Sequence, residues 1–203
     1  MPRVKQRTDA LRERGVASAL AVLAEDGVAG LTTRTVARRA EASVPAIYEV
    51  FGDKAGLIRE VFFAGFQLLG DELAAAPQPD DPLDALRELA ESFRRFVLAN
   101  PVLTQVMFSR PFADFEPTQE DEKAGVKVRK IFVGRIRAAI DAGKLDGDPI
   151  DIAQVYFAFV QGLAAAESAQ RMGASTQSVD RRWRLGLDAL LTGLAPHRIR
   201  RSR

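Results

Sequence analysis

The chain reads as an all-α protein of about nine helices, because apolar residues recur at intervals of three and four rather than two. Helix-starting residues stand just ahead of those stripes, and glycine or proline follows many of them. The length of 203 residues, 47% of them hydrophobic, suffices for one large or two small domains without covalent staples. With no cysteine in the chain, disulfides, thiolate zinc sites and thiol nucleophiles are excluded.

Helix one is expected over about residues 8–26, with Val16, Leu20, Leu23 and Ala24 inward and Gly27 placed to close it in the left-handed conformation. Thr32 and Ser43 can each accept a hydrogen bond from the free N–H groups that open helices two and three. Pro45 then falls in a first turn, where its missing N–H costs nothing. Val36, Ala37 and Ala40 form one apolar stripe and Ile47 and Phe51 another, so two short helices cross over a shared core, as in a helix-turn-helix. Asp53 caps helix four, which Leu57, Ile58, Val61, Phe62, Leu68, Leu69 and Leu73 carry to about residue 76. Asp81 with Pro82 opens helix five, which ends near Asn100, and Pro101 opens a short helix six. Residues 109–117 form an irregular, aromatic-bearing loop. Thr118 with Asp121 resembles a capping box for helix seven, closed by Gly143, and Asp148 with Pro149 starts helix eight. Helix eight aligns Ile152, Val155, Tyr156, Phe159 and Leu163, and helix nine aligns Val179, Trp183, Leu187, Leu190 and Leu194.

Thr32, Val36, Ala37, Ala40, Ala42, Ser43, Ile47, Tyr48, Phe51, Lys54 and Leu57 stand at the spacing of one family's amino-terminal signature, and this stretch resembles the TetR family of transcriptional repressors. Glu41 occupies the turn position usually held by Gly, Val50 one commonly held by His, and Glu49 puts an acid on a helix expected to face phosphates. A turn of the usual shape sets Glu41 at positive φ, at a cost of roughly 1 to 2 kcal/mol. The stretches FRRFVLANPVLTQVMF and YFAFVQGLAAAES look like the carboxyl-terminal domain of a TetR subgroup named for a Trp, His and Gly pattern. Phe157 and Gln161 stand in its Trp and His positions and Gly162 is retained, so the ligand role of those two side chains is not carried over.

The resemblance implies a helix-turn-helix DNA-binding domain at residues 1–57, with helix four, about residues 53–76, linking it to a second domain. That second domain, at 77–195, is helical and serves ligand binding and dimerisation, and a basic tail at 196–203 completes the division. The resemblance also implies a dimeric repressor on a palindromic double-stranded DNA operator, released by a small apolar or aromatic ligand. Helix three would then enter the major groove, with Val44, Pro45, Ala46 and Glu49 nearest the bases and Tyr48 and Lys54 on phosphates. Thr32, Thr33, Arg34 and Ser43 belong to the same surface, and Arg3, Lys5 and Arg7 form a basic arm that attracts phosphate without reading sequence. For Glu49 a bond from cytosine N4 stands beside a salt bridge to Arg38 or Arg39.

A ligand cavity is implied among Phe66, Phe93, Phe96, Met107, Phe108, Phe112, Phe132, Tyr156 and Phe159, although ordinary core is the default for most of them. The dimer is implied at helices eight and nine through Ile152, Val155, Phe159, Leu163, Val179, Trp183, Leu187, Leu190 and Leu194, with an intrachain core as the alternative.

Formal net charge is only +2, but Arg3, Lys5, Arg7, Arg12 and Arg14 precede the helix-turn-helix and Arg34, Arg38 and Arg39 fall inside it. The single histidine, His197, has no second His or Cys to complete a metal site, and neither metal nor cofactor is expected. Lack of a signal-peptide run or a long uncharged apolar stretch points to the cytoplasm and away from a membrane. No glycine-rich phosphate loop or nucleophile elbow supports an enzyme. The remaining rival is a TetR-like helical protein that binds lipid or small molecules and has lost DNA binding, a reading raised by Glu41, Glu49 and Val50.

Overall fold

Nine α-helices and no strand make up the described part of the computed structural model, which covers residues 2–109, 118 and 121–196, with residues 2–7, 121 and 122 as backbone alone. They are α1 (Pro2–Gly30), α2 (Thr33–Arg39), α3 (Val44–Phe51), α4 (Lys54–Ala74), α5 (Pro82–Ala99), α6 (Pro101–Thr104), α7 (Val126–Asp141), α8 (Pro149–Ser168) and α9 (Thr176–Gly193). A π-helical turn, Gln105–Ser109, continues α6, and a 3₁₀ turn, Asp121–Gly125, leads into α7. Phe112, the aromatic loop from residue 110 to 117 and His197 lie outside the described residues, as do the side chains of Arg3, Lys5, Arg7 and Asp121.

Capping residues fix the starts of α2, α3, α4, α5 and α8 as the sequence predicts, whereas α7 begins at Val126, after a 3₁₀ turn, and not at Thr118 as expected. Thr32 accepts from the Thr35 N–H at 3.1 Å and Ser43 from the Ala46 N–H at 3.2 Å. Asp53 accepts from Gly56 at 2.7 Å, Asp81 from Leu83 at 2.8 Å, and Asp148 from Ile150 and Asp151 at 2.8 and 3.0 Å. Each satisfies backbone donors that the helix cannot, a contribution of about 1 kcal/mol apiece. α1 begins at Pro2, before the expected start, and so takes up the backbone of the basic arm. Gly27 has the expected positive φ of 68°, but its ψ of −168° is extended rather than left-handed.

Two compact units are distinguished by contact density, Met1–Leu68 with Asn100–Gly125, and Leu69–Ala99 with Val126–Arg203. In the first unit Val36, Ala37, Ala40, Ile47, Val50 and Phe51 are buried together with Ala19, Val22 and Leu23 of α1. α1 is rotated slightly from expectation, leaving Val16 and Leu20 half-buried and Ala24 exposed. A Cβ at Gly15 would lie 2.7 Å from the Phe51 ring, so only glycine lets the ring rest on α1. Arg12 donates to the Val50 carbonyl at 3.0 Å, pairs with Glu60 and sits 5.7 Å from the Phe51 ring centroid. This arginine, grouped by sequence with the basic arm, ties α1 to α3 and α4. The turn between α2 and α3 takes the expected form, with Glu41 at φ 51° and the Ala42 N–H returning to the Ala37 carbonyl at 2.9 Å.

The second unit is organised around Arg94, whose side chain is 9% exposed. Its guanidinium donates twice to Glu167, at 2.7 Å each, and pairs with Asp180 at 2.8 Å. It also lies 5.3 Å from the Trp183 ring, whose Nε1–H donates to Glu167 at 2.7 Å. One cation thereby joins α5, α8 and α9, and in a low-dielectric setting its partners depend on it.

Replacing Arg94 by Met leaves Glu167 and Asp180 without their cation and is expected to lower unfolding free energy by about 3 kcal/mol, read as a shift in urea midpoint. An unchanged midpoint would show the cluster to be neutral for stability. Glu41→Gly removes a side chain from a left-handed position and is expected to raise stability by about 1 kcal/mol in the same titration. A loss of stability would show that the Glu41 side chain contributes more than its backbone costs.

Candidate nucleic-acid interface

Burial on one side of α3 determines what the other side offers. Ile47, Val50 and Phe51 face the core, so Pro45, Tyr48 and Glu49 are exposed, with Val44 and Ala46 half-buried beside them. Tyr48 is 47% exposed, and the Thr33 hydroxyl donates to its phenolic oxygen at 3.4 Å, a long contact linking the start of α2 to α3. Thr32, Arg34, Ser43 and Lys54 are exposed on the same small unit. α2 has no acidic residue in its first turn, so its N-terminal N–H groups and positive dipole end are not neutralised there.

Charge on this surface is partly committed elsewhere. Arg39 makes a bidentate pair with Glu25, which holds the Glu25 carboxyl below the usual carboxylate range. Arg34 and Arg38 have no carboxylate within ion-pair distance among the described residues, and Glu49 has no cation within that distance. The intrachain salt bridge considered for Glu49 is therefore not formed, because Arg39 is held by Glu25 and Arg38 stays apart. Val50 is 8% exposed and packs inward, which explains an apolar residue at that position.

The residues expected at a dimer face divide into two sets. Ile152, Val179, Trp183 and Leu187 are 5%, 8%, 2% and 6% exposed, so the chain itself buries them, in line with the intrachain alternative. An apolar stripe marks the face that must be covered, but not which chain covers it. Val155 is 52% exposed, Phe159, Leu163, Leu190 and Leu194 are half-buried, and Leu185, not singled out by sequence, is highly exposed. α8 is apolar enough by length and composition to pass for a membrane span, yet only 28% of its most apolar window is buried.

The expected ligand residues likewise separate. Phe66 and Phe108 meet edge-to-face at 5.6 Å near buried Met107 in the first unit. Phe93, Phe132 and Tyr156 are fully buried in the second, bridged by Phe157 at 5.5 Å from Phe93 and 5.0 Å from Phe132. The Tyr156 hydroxyl donates to the Leu86 carbonyl at 2.7 Å, and burial pushes its phenol well above the usual range. Phe96 is buried in the same unit, while Phe159 packs at half exposure over Gly186, where a Cβ would lie 2.9 Å from its ring. A groove of about 550 Å³ exists elsewhere in the second unit, and none of these residues lines it.

Comparison with known proteins agrees with this geometry. Residues 16–61 match the family model described as bacterial regulatory proteins, tetR family, and residues 86–190 match one described as tetracyclin repressor-like, C-terminal domain. The second description does not single out the Trp, His and Gly subgroup. No curated protein matches the chain. Among solved structures, a protein of unknown function from Rhodococcus sp. RHA1 is 29% identical, with a TM-score of 0.77, over 92% of this chain and 96% of that one. A tetR family transcription regulator from Shewanella sp. PV-4 is 19% identical, with a TM-score of 0.65, over 88% and 97%. A TetR variant from Acinetobacter baumannii AYE in complex with minocycline is 24% identical, with a TM-score of 0.60, over 88% and 93%. With both halves matched and the helix-turn-helix in place, the chain belongs to the TetR family of transcription regulators and carries that family's DNA-binding domain.

Proposed function

We propose that the chain acts in the cytoplasm as a dimeric repressor on a palindromic operator, released by a small apolar or aromatic ligand, with no catalytic step. The observation that carries the reading is the outward face of α3, held from inside by Ile47, Val50 and Phe51 and exposed outside at Pro45, Tyr48 and Glu49. In the groove, Val44, Pro45 and Ala46 supply apolar contact suited to thymine methyl groups, and Glu49 accepts from cytosine N4. Tyr48, Lys54, Thr32, Thr33, Arg34 and Ser43 take phosphates, and Arg3, Lys5 and Arg7 add salt-dependent attraction. Pairing through α8 and α9 is supported by exposed Val155 and Leu185 and by Gly162, where a Cβ would meet nothing within 4 Å. A facing helix can approach closely there. Ligand response is supported by the minocycline complex of a similarly folded protein.

The carboxylate of Glu49, without an ion-pair partner among the described residues, favours a second reading, a ligand-binding protein of this fold that no longer holds DNA, since an acid facing phosphates repels them. The protein's own upstream DNA decides between them. The repressor reading expects retardation in a gel that weakens steeply with salt, and Arg34→Ala is expected to reduce the log–log salt slope by about 1. Absence of any shift at low salt would support the second reading. For the pairing, the double variant Val155→Glu, Gly162→Glu is expected to sediment as a monomer and to lose most DNA affinity, and an intact dimer would move the interface elsewhere.

A further inference from the structure

The groove in the second unit lies between the end of α4, the segment before α5, and α7. Its volume of about 550 Å³ is of the size that holds a small molecule. Leu73, Pro82, Ala85 and Ile131 give it an apolar floor, while Lys130 and Arg135 stand on its α7 side. Neither cation has a carboxylate within ion-pair distance among the described residues. Arg135 is half-buried and makes only a long hydrogen bond, 3.4 Å, to the Ala76 carbonyl. Burial without a compensating anion disfavours its charged form and pushes its pKa down. Asp80 is the acidic residue of the lining, so the balance of charge facing the groove is positive.

The backbone of α7 points the same way, independently of charge. Gly134 sits inside this helix, where glycine weakens it, and a Cβ there would meet nothing within 4 Å. No neighbour among the described residues requires the missing side chain, and Gly134 lines the groove. A backbone bared at that point suits close approach of something from outside.

We propose that this groove binds an amphipathic organic anion, its carboxylate held by Arg135 and Lys130 and its aliphatic or aromatic body laid along α7 at Gly134. The charge-assisted bonds supply orientation, and the apolar floor supplies most of the affinity. The site rests on the groove alone and needs neither operator binding nor a dimer, so it is tested without DNA.

Decanoate and 1-decanol, titrated calorimetrically into the full chain, share a tail and differ in charge. Decanoate is expected to bind saturably and at least about tenfold more tightly than the alcohol. Arg135→Gln with Lys130→Gln is expected to remove that preference. Gly134→Leu, which favours the helix and fills the space, is expected to abolish binding of both probes while thermal unfolding shows no loss of stability. Equal binding of acid and alcohol, no saturable decanoate binding, or unaltered decanoate affinity in a folded Gly134→Leu protein would each overturn the proposal.

Discussion

The seat of Phe51 on α1 is the constraint on which the DNA-facing part of the molecule depends. Its ring rests on Gly15, the Arg12 guanidinium stands beside it, and the same guanidinium holds the Val50 carbonyl and Glu60. α3 has only eight residues, too few to hold its shape alone in water, so packing must supply what length does not. With its inner face fixed by α1 and α2, its outer face carries only the long Thr33–Tyr48 contact among the described residues, and a rigid reading element requires such a face.

In the second unit the Arg94 cluster has the corresponding part. A buried cation is costly unless fully paired, and here three carboxylates, Glu167, Asp180 and the more distant Glu91, share it with an aromatic face. Because Glu167 also accepts from Trp183, the inward face of α9 is set against α8 by one network. Ile150 and Val155 of α8 and Leu185 of α9 are left as exposed apolar surface.

What could be read from the sequence depends on the range of each interaction. The caps at Thr32, Ser43, Asp53, Asp81 and Asp148 act over two or three residues, so residue type and position suffice to find them. Glu41 at positive φ was likewise legible, from its place in a recognised turn. Arg12 and Arg94 were not, because Glu60 and Glu167, the carboxylates that hold them in place, lie 48 and 73 residues away, and the nearby Glu91 gives Arg94 no more than a surface pair would. Trp183 and Leu187 show the limit of periodicity, which identified an apolar face and left open that the chain itself buries it. The groove at Gly134 is more distant still, since an empty space is a property of packing and leaves no residue pattern.

Hydroxyl-radical footprinting of the protein on a bound fragment of its own upstream DNA tests the central claim, a paired reader whose α3 helices seat in the major groove. The account predicts two related patches of protection on one face of the duplex, their centres about 34 to 36 Å apart or a multiple of that distance. A single patch, or uniform protection without register, would contradict it.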